Sequence, residues 1–535
     1  MSEPIVTITD GALQGYAEGG ISIFKGIPFA KPPLEELRWQ PPVLPEPWAE
    51  TRDATEFSPI AIQLGTGIEK FSHGLIDGQG FNFIKRTLFK LGMKFMSGPT
   101  QSEDCLYLNV RTPSIEASSK LPVMVWLHGG DHLDGSGTDA LYNNNTLPNL
   151  GVVLVTINYR LGLMGYFCHP ELSKESPHAV SGNYGTLDQI AALKWVQDNI
   201  EPFGGDPSNV TVFGESAGGE SVAHMLTSPL TNGLFHRAII QSGANSSQMY
   251  HLNKPALRYK PAEQVGAEFA TKLVGEGVQL ERLRQLSVDA LMDLARSDEQ
   301  ASLFYPVIDG YVLELSPFEC FRKGLQHKVP VMVGSNSDEG SLIWPMMDTP
   351  LVWRRLLDVG DETIESVIIE EFPGEAAGKL FELYPGLASG DDHAQEELLG
   401  DNMFGAKAFF YATTHAQSGE SCYLYHFDQV PLSRSQTAGA FHAAEISYVF
   451  GVDSLLLPQD EQRASLSRQM SKYWTSFARS GDPNDNELSH WQSFSQNSPE
   501  WMQLGSSVGM AEANKADKYG VLNDKLLSQL DSLDD

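Results

Sequence analysis

The chain is poor in several things at once, and each shortage narrows what it can be. Four cysteines in 535 residues, Cys105, Cys168, Cys320 and Cys422, are widely spaced and form no C-x-x-C pair. That is too few for a disulfide framework, and the spacing argues against a zinc site. No apolar run approaches the ~18 residues needed to span a bilayer, so stable membrane insertion is not expected. Basic residues are outnumbered, with 37 Lys and Arg against 68 Asp and Glu and a formal net charge of −31. Nucleic acid is therefore not an expected partner, since like charge would repel its phosphate backbone. The length alone suggests several domains, yet no Pro/Ser/Gly-rich linker, repeat or low-complexity block divides it. Met1 to Thr7 offers neither a basic nor an apolar leader region. The expectation is a cytoplasmic protein with reduced thiols.

What the chain does have is organised around Thr211-Val212-Phe213-Gly214-Glu215-Ser216-Ala217-Gly218-Gly219. Val210 to Phe213 is a β-branched and aromatic run suited to a buried strand. Gly214 and Gly218 flank Ser216 with the G-x-S-x-G spacing of a nucleophile elbow, and a helix pattern starts at Ala217. Such a turn strains the serine backbone, exposes the hydroxyl, and points the Ala217 N–H at a developing oxyanion.

Along the chain, the proline-dense first segment reads as turns and short strands meandering over the surface. Residues 81–97 place Phe81, Ile84, Leu88, Leu91 and Phe95 on one helical face and Arg86, Lys90 and Lys94 opposite, a candidate lid helix. Strands are expected at Cys105–Val110, Leu121–Leu127, Val152–Ile157, Ala238–Gln241, Val329–Gly334 and Cys422–Phe427, with helical segments between them. Near-continuous apolar strands alternating with helices indicate a mostly parallel sheet covered on both faces, an α/β fold. Residues 255–420 read as mostly helical. Residues 506–535 read as a polar C-terminal extension with one surface helix.

A serine nucleophile needs an imidazole base, and the base needs a carboxylate. In the order Ser, acid, His, the first loop to fit is Asn336-Ser337-Asp338-Glu339-Gly340, and spacing does not choose between Asp338 and Glu339. Of the histidines beyond it, His426 lies inside a strand, whereas His442 follows the last strand and precedes a helix, where a base is required. The glycine-rich loop Trp126-Leu127-His128-Gly129-Gly130 supplies the second half of an oxyanion hole.

With these residues in place the chain resembles the type-B carboxylesterase, cholinesterase-like family of the α/β-hydrolase fold. The likeness extends through Ser102–Asn109, Asn158–Gly162, Asn183–Gln189, Phe203–Pro207, Gly233–Ile239 and Gly481–Asn484, nearly the whole chain to about Gly505. It implies one α/β-hydrolase domain over residues 1–535 with helical insertions around an active-site gorge. Carried over by position, it implies a triad of Ser216, Glu339 and His442 and oxyanion donors at Gly130, Asp131 and Ala217. It further implies two-step hydrolysis of a small-molecule ester, without metal or cofactor. A lipase acting at interfaces and a non-catalytic binding relative are the alternatives.

Three departures stand out against that family. Cys105 has no upstream cysteine, and Ala61 sits about where a disulfide partner would be. Asp131-His132 replaces a small residue and an aromatic in the oxyanion loop, and the Asp131 carboxylate is expected to turn outward. Ala443 follows the base where glycine is common.

Overall fold

The structure, a computed structural model, describes residues 3–65, 72–74, 76–77, 86–87, 98–243, 250–256, 259–298, 304–344, 364–430, 437–452 and 460–534. The candidate lid helix at 81–97 thus lies outside the described residues except for Arg86 and Thr87.

An eleven-stranded sheet forms the centre. In chain order its strands are β1 (Tyr16–Glu18), β2 (Ile21–Pro28), β3 (Tyr107–Thr112), β4 (Leu121–Leu127), β5 (Val153–Ile157), β6 (Gly205–Glu215), β7 (Arg237–Gln241), β8 (Val331–Asn336), β9 (Cys422–Phe427), β10 (Glu500–Leu504) and β11 (Val508–Glu512). Their order in space is β11-β10-β9-β8-β7-β6-β4-β5-β3-β2-β1. Every neighbouring pair from β5 across to β10 is parallel, and both flanks are antiparallel.

Period-two side-chain alternation sorts the strand residues into two cores. Val123, Val125, Val212, Ile240 and Val333 belong to one, covered by helices α1 (Tyr184–Asn199), α2 (Ala217–Thr227), α3 (Ala406–Gln417) and α5 (Ala516–Asp534). Met124, Trp126, Phe213, Ile239 and Met332 belong to the other, beneath Met470, Tyr473, Trp474 and Phe477 of α4 (Glu461–Ser480). Strands apolar on both faces are what a doubly covered parallel sheet requires.

Two expectations need correction. The early segment is not all surface meander: Phe24, Ile27, Phe29 and Ala30 are buried, because β2 pairs with β3 inside the sheet. Residues past Gly505 are more than a polar extension with one surface helix. They supply the edge strand β11 and helix α5, whose Tyr519, Leu522, Leu526 and Leu530 are buried. The alternation of those apolar residues with Asp, Lys, Asn and Ser hides the buried stripe in an average over the segment. Ala61 and Cys105 line one small cavity, and all four cysteines are buried and free. Among the described residues, no helix is long and apolar enough to cross a membrane.

One buried charge stands apart. Lys407 on α3 is 3% exposed, with its ammonium 5.7 Å from the Phe318 ring centroid. Burial, with Lys525 nearby, pushes its amine down to about 7. In the unfolded chain a lysine keeps its proton to roughly pH 10. Between those values the unfolded state binds more protons, so this group's contribution to stability rises with pH, and the penalty is complete below about 7. Lys407→Met is expected to stabilise the fold by a few kcal/mol, more at about pH 6.5 than at about pH 9.5. Urea unfolding of both proteins at the two pH values checks this, and an equal gain at both would contradict it.

Candidate active site

Strand β6 ends at Glu215 and α2 begins at Ala217, leaving Ser216 alone to make the turn. Its backbone sits at φ 57° and ψ −125°, a conformation costly for any residue with a Cβ. The turn is possible because its neighbours are small. A Cβ on Gly218 would lie 2.0 Å from the Leu127 carbonyl oxygen, so the helix can start this close to β4 only with glycine. The Ser216 N–H donates to the Gln241 carbonyl at 3.0 Å, tying the elbow to the end of β7.

The next strands bring a carboxylate and an imidazole to the elbow. After β8, Glu339 enters a short helix at Gly340–Ile343. His442 Nδ1 and Glu339 Oε2 are 2.6 Å apart, and both residues are buried. The other carboxylate oxygen, Oε1, accepts from Ser242 Oγ and from the Asn336 N–H, each at 2.6 Å. Asp338 does something different. Its Oδ2 accepts the Ala440 N–H at 2.8 Å, and its backbone bridges to Phe441, so it holds the loop that carries the histidine. Of the two carboxylates that spacing left open, Glu339 is the one touching the ring.

The far side of that ring meets a group that sequence reasoning passed over. His442 Nε2 is 3.2 Å from Oε1 of Glu215, the residue immediately before Ser216. Among the described residues Ser216 Oγ makes no hydrogen bond. Burial opposes charge on His442, but Glu215, Glu339 and Glu445 together outweigh it and hold the imidazole up to about 9. Burial also pushes Glu215 well above the usual carboxylate range, so the two groups titrate as a coupled pair. Glu445 is raised by burial and by Glu339, and accepts hydrogen bonds from Gln241 Nε2 at 3.0 Å and Asn336 Nδ2 at 2.7 Å. The one sequence signal for Glu215 was its place inside the G-x-S-x-G spacing. Ser242, Asn336 and Glu445 had none. His426, by contrast, is packed: it lies against Trp501 with ring centroids 4.3 Å apart, and burial pushes it down to about 3.

The glycine-rich loop after β4 lies against the elbow. A Cβ on Gly129 would come 3.1 Å from Ser216 Cβ and 2.7 Å from the Glu215 carbonyl oxygen. Gly130, Asp131 and His132 all have positive φ, and the Gly130 carbonyl accepts the Leu133 and Asp134 N–H groups. Among the described residues, the Gly130 and Asp131 N–H groups donate to no protein acceptor. Ala217, in the first turn of α2, likewise has no intrahelical partner for its N–H. The Asp131 side chain is solvent-accessible, and its Oδ2 accepts from the Tyr305 hydroxyl at 2.7 Å. Ala443 takes φ 69°, the left-handed region where glycine would be unstrained. Among the described residues, no group of His, Cys, Asp and Glu is arranged to hold a metal.

Comparison with known proteins agrees with this architecture. The Carboxylesterase family profile matches residues 2–522. The chain is 36% identical to fumonisin B1 esterase of Sphingopyxis macrogoltabida, across 94% of this chain and 86% of that one. It is 35% identical to liver carboxylesterase of Sus scrofa, across 98% and 93%. Among solved structures it superposes on a PNB esterase with a TM-score of 0.77 at 31% identity, covering 97% of this chain and 100% of the other. A carboxylesterase of Geobacillus stearothermophilus gives a TM-score of 0.78 at 29% identity, covering 97% and 99%. With an α/β-hydrolase sheet and a family match over almost its full length, the chain belongs to the carboxylesterase family and is a carboxylic ester hydrolase.

Proposed function

We propose that residues 1–535 act as one catalytic domain, hydrolysing small-molecule carboxylic esters in two steps through Ser216, His442 and Glu339. The observation that carries this reading is the buried Glu339–His442 contact at 2.6 Å, with the opposite ring nitrogen turned toward the elbow. Ser216 Oγ attacks the acyl carbon as His442 Nε2 takes its proton, and the carbonyl electrons move onto oxygen. The N–H groups of Gly130, Asp131 and Ala217 receive that oxyanion. Collapse expels the alcohol, which leaves with the proton held by His442, and Ser216 keeps the acyl group. Water then repeats the sequence: His442 accepts its proton, the hydroxide oxygen bonds the acyl carbon, and Ser216 recovers the proton as the acid departs. Glu339 keeps Nδ1 protonated and steadies the imidazolium of both steps. Glu215, facing Nε2, adds to that stabilisation when it is ionised. The resting site has no Ser216–His442 hydrogen bond, which fits a contact that tightens when substrate arrives. Four buried thiols without disulfides favour a reducing, cytoplasmic setting.

Ser216→Ala is expected to lower kcat by about four orders of magnitude or more, with the thermal midpoint retained. Glu339→Gln should lose roughly 10³-fold or more, and Asp338→Asn less than about tenfold. Steady-state kinetics on a p-nitrophenyl ester ranks the three, and a larger loss for Asp338→Asn than for Glu339→Gln would reverse the acid assignment.

Because neutral imidazole is the working base, kcat/KM should rise with pH as His442 loses its proton, up to about 9. Glu215 and Glu339 are the carboxylates that hold that proton. Glu215→Gln is therefore expected to move the acidic limb of the profile to lower pH. A pH–kcat/KM profile decides, and an unmoved limb would exclude Glu215 from the titration.

A further inference from the structure

Asp131 combines two properties that the hydrolytic mechanism itself does not use: a carboxylate at the oxyanion loop, and an anchor that stops it turning freely. Its backbone is left-handed, with φ 58°, and the Tyr305 hydroxyl fixes Oδ2 at 2.7 Å. The side chain remains accessible to solvent. Two residues back, a Cβ on Gly129 would lie 3.1 Å from Ser216 Cβ, so the loop that carries Asp131 runs beside the nucleophile.

The groups facing Asp131 do little to neutralise it. From its own loop come His132 and Asp134, from α2 comes Glu220, and from the segment before Val307 comes Tyr305. Asp134 Oδ1 accepts the Gly65 N–H at 2.6 Å. Glu220 lies 3.5 Å from His132 Nε2 and 3.7 Å from His224 Nε2. Burial pushes His224 down to about 4, leaving it neutral near pH 7. Among the described residues, neither a lysine nor an arginine pairs with Asp131. Although the residue keeps an exposed edge, desolvation by the protein around its carboxyl pushes it up to about 6, against the Tyr305 hydrogen bond and His132, so it is ionised at about pH 8.

We propose that Asp131 is a specificity-determining residue that favours esters carrying a fixed cation close to the scissile carbonyl and disfavours esters carrying a carboxylate there. The proposal rests on ester hydrolysis at Ser216 with the Gly130–Asp131 loop receiving the oxyanion. A substrate cation seated beside an anchored carboxylate is attracted without any cost of reorienting it, and a substrate anion meets the same charge as repulsion. Tyr305 holds Oδ2, and among the described residues no hydrogen bond engages Oδ1. Bulk hydrophobicity of the substrate plays no part in the discrimination, which separates it from selection by chain length.

The test uses p-nitrophenyl esters of three acyl groups matched in length, ending in tert-butyl, trimethylammonium or carboxylate. A parallel set places the same termini on the alcohol of an acetate ester. Wild type, Asp131→Asn and Tyr305→Phe are compared at about pH 8. In at least one set, Asp131→Asn is expected to lower the cationic-to-neutral ratio of kcat/KM about tenfold and raise the anionic-to-neutral ratio similarly. Tyr305→Phe, which keeps the charge, should retain most of the cation preference. Wild type read at about pH 5 should show a smaller cationic preference than at about pH 8, which tests the charge without any substitution. Ratios unchanged within about twofold by Asp131→Asn in both sets would overturn the proposal, whatever the low-pH reading. Turnover of the neutral ester by wild type reports separately on the esterase reading, so failure of one is not mistaken for failure of the other.

Discussion

The contact on which the site depends is the buried hydrogen bond between Glu339 and His442. An imidazole ringed by carboxylates has several partners to choose from, and one orientation must win. Glu339 decides it because both of its oxygens are committed: Oε2 to the ring, and Oε1 to Ser242 and the Asn336 backbone. A carboxylate pinned at both ends cannot swing to follow the ring. Parallel register makes that possible. Gln241 pairs with Glu215 on one side and Gly334 on the other, and Asn336 pairs with Phe427. The carboxyl ends of β6, β7, β8 and β9 therefore open side by side, and residues distant in the chain arrive at one place.

Backbone strain gathers at the same point. Among the described residues, five of the nine non-glycine residues with positive φ are Asp131, His132, Ser216, Ser242 and Ala443, all at this end of the sheet. The surrounding packing has to over-determine them, since each conformation costs free energy that a relaxed turn would recover. The same packing is dense in acid. Glu215, Glu339 and Glu445 flank His442, while Gln241 and Asn336 amides satisfy Glu445 and Trp474 Nε1 donates back to Gln241 at 2.9 Å. A negative interior of this kind favours the imidazolium form of His442, so loss of its proton is the event sensitive to pH.

Much of this was legible in the sequence where the chemistry leaves a local trace. The elbow needs glycine at fixed offsets, and parallel strands need apolar runs, so Gly214, Ser216, Gly218 and β4 to β9 could be found from residues alone. Glu339 could not be separated from Asp338 by spacing, because the two differ only in which way a loop turns; resemblance to a family favoured one, and geometry brings that one to the ring. Ser242, Asn336, Gln241 and Tyr305 left no local trace, since their roles come from strand register and long-range closure. Helix α5 was underrated for another reason: its buried stripe is narrow, and the polar majority of its residues dominates any average.

Placing the chain among carboxylesterases leaves the covalent chemistry at Ser216 as the central claim. The most direct measurement is acid quenching during turnover of an ester whose acyl-enzyme hydrolyses slowly, followed by peptide mass mapping. The mechanism predicts the acyl mass on the peptide containing Ser216, appearing with the burst of alcohol and vanishing as acid is released. An acyl mass on any other residue, or steady turnover with no burst and no adduct under single-turnover conditions, would contradict it.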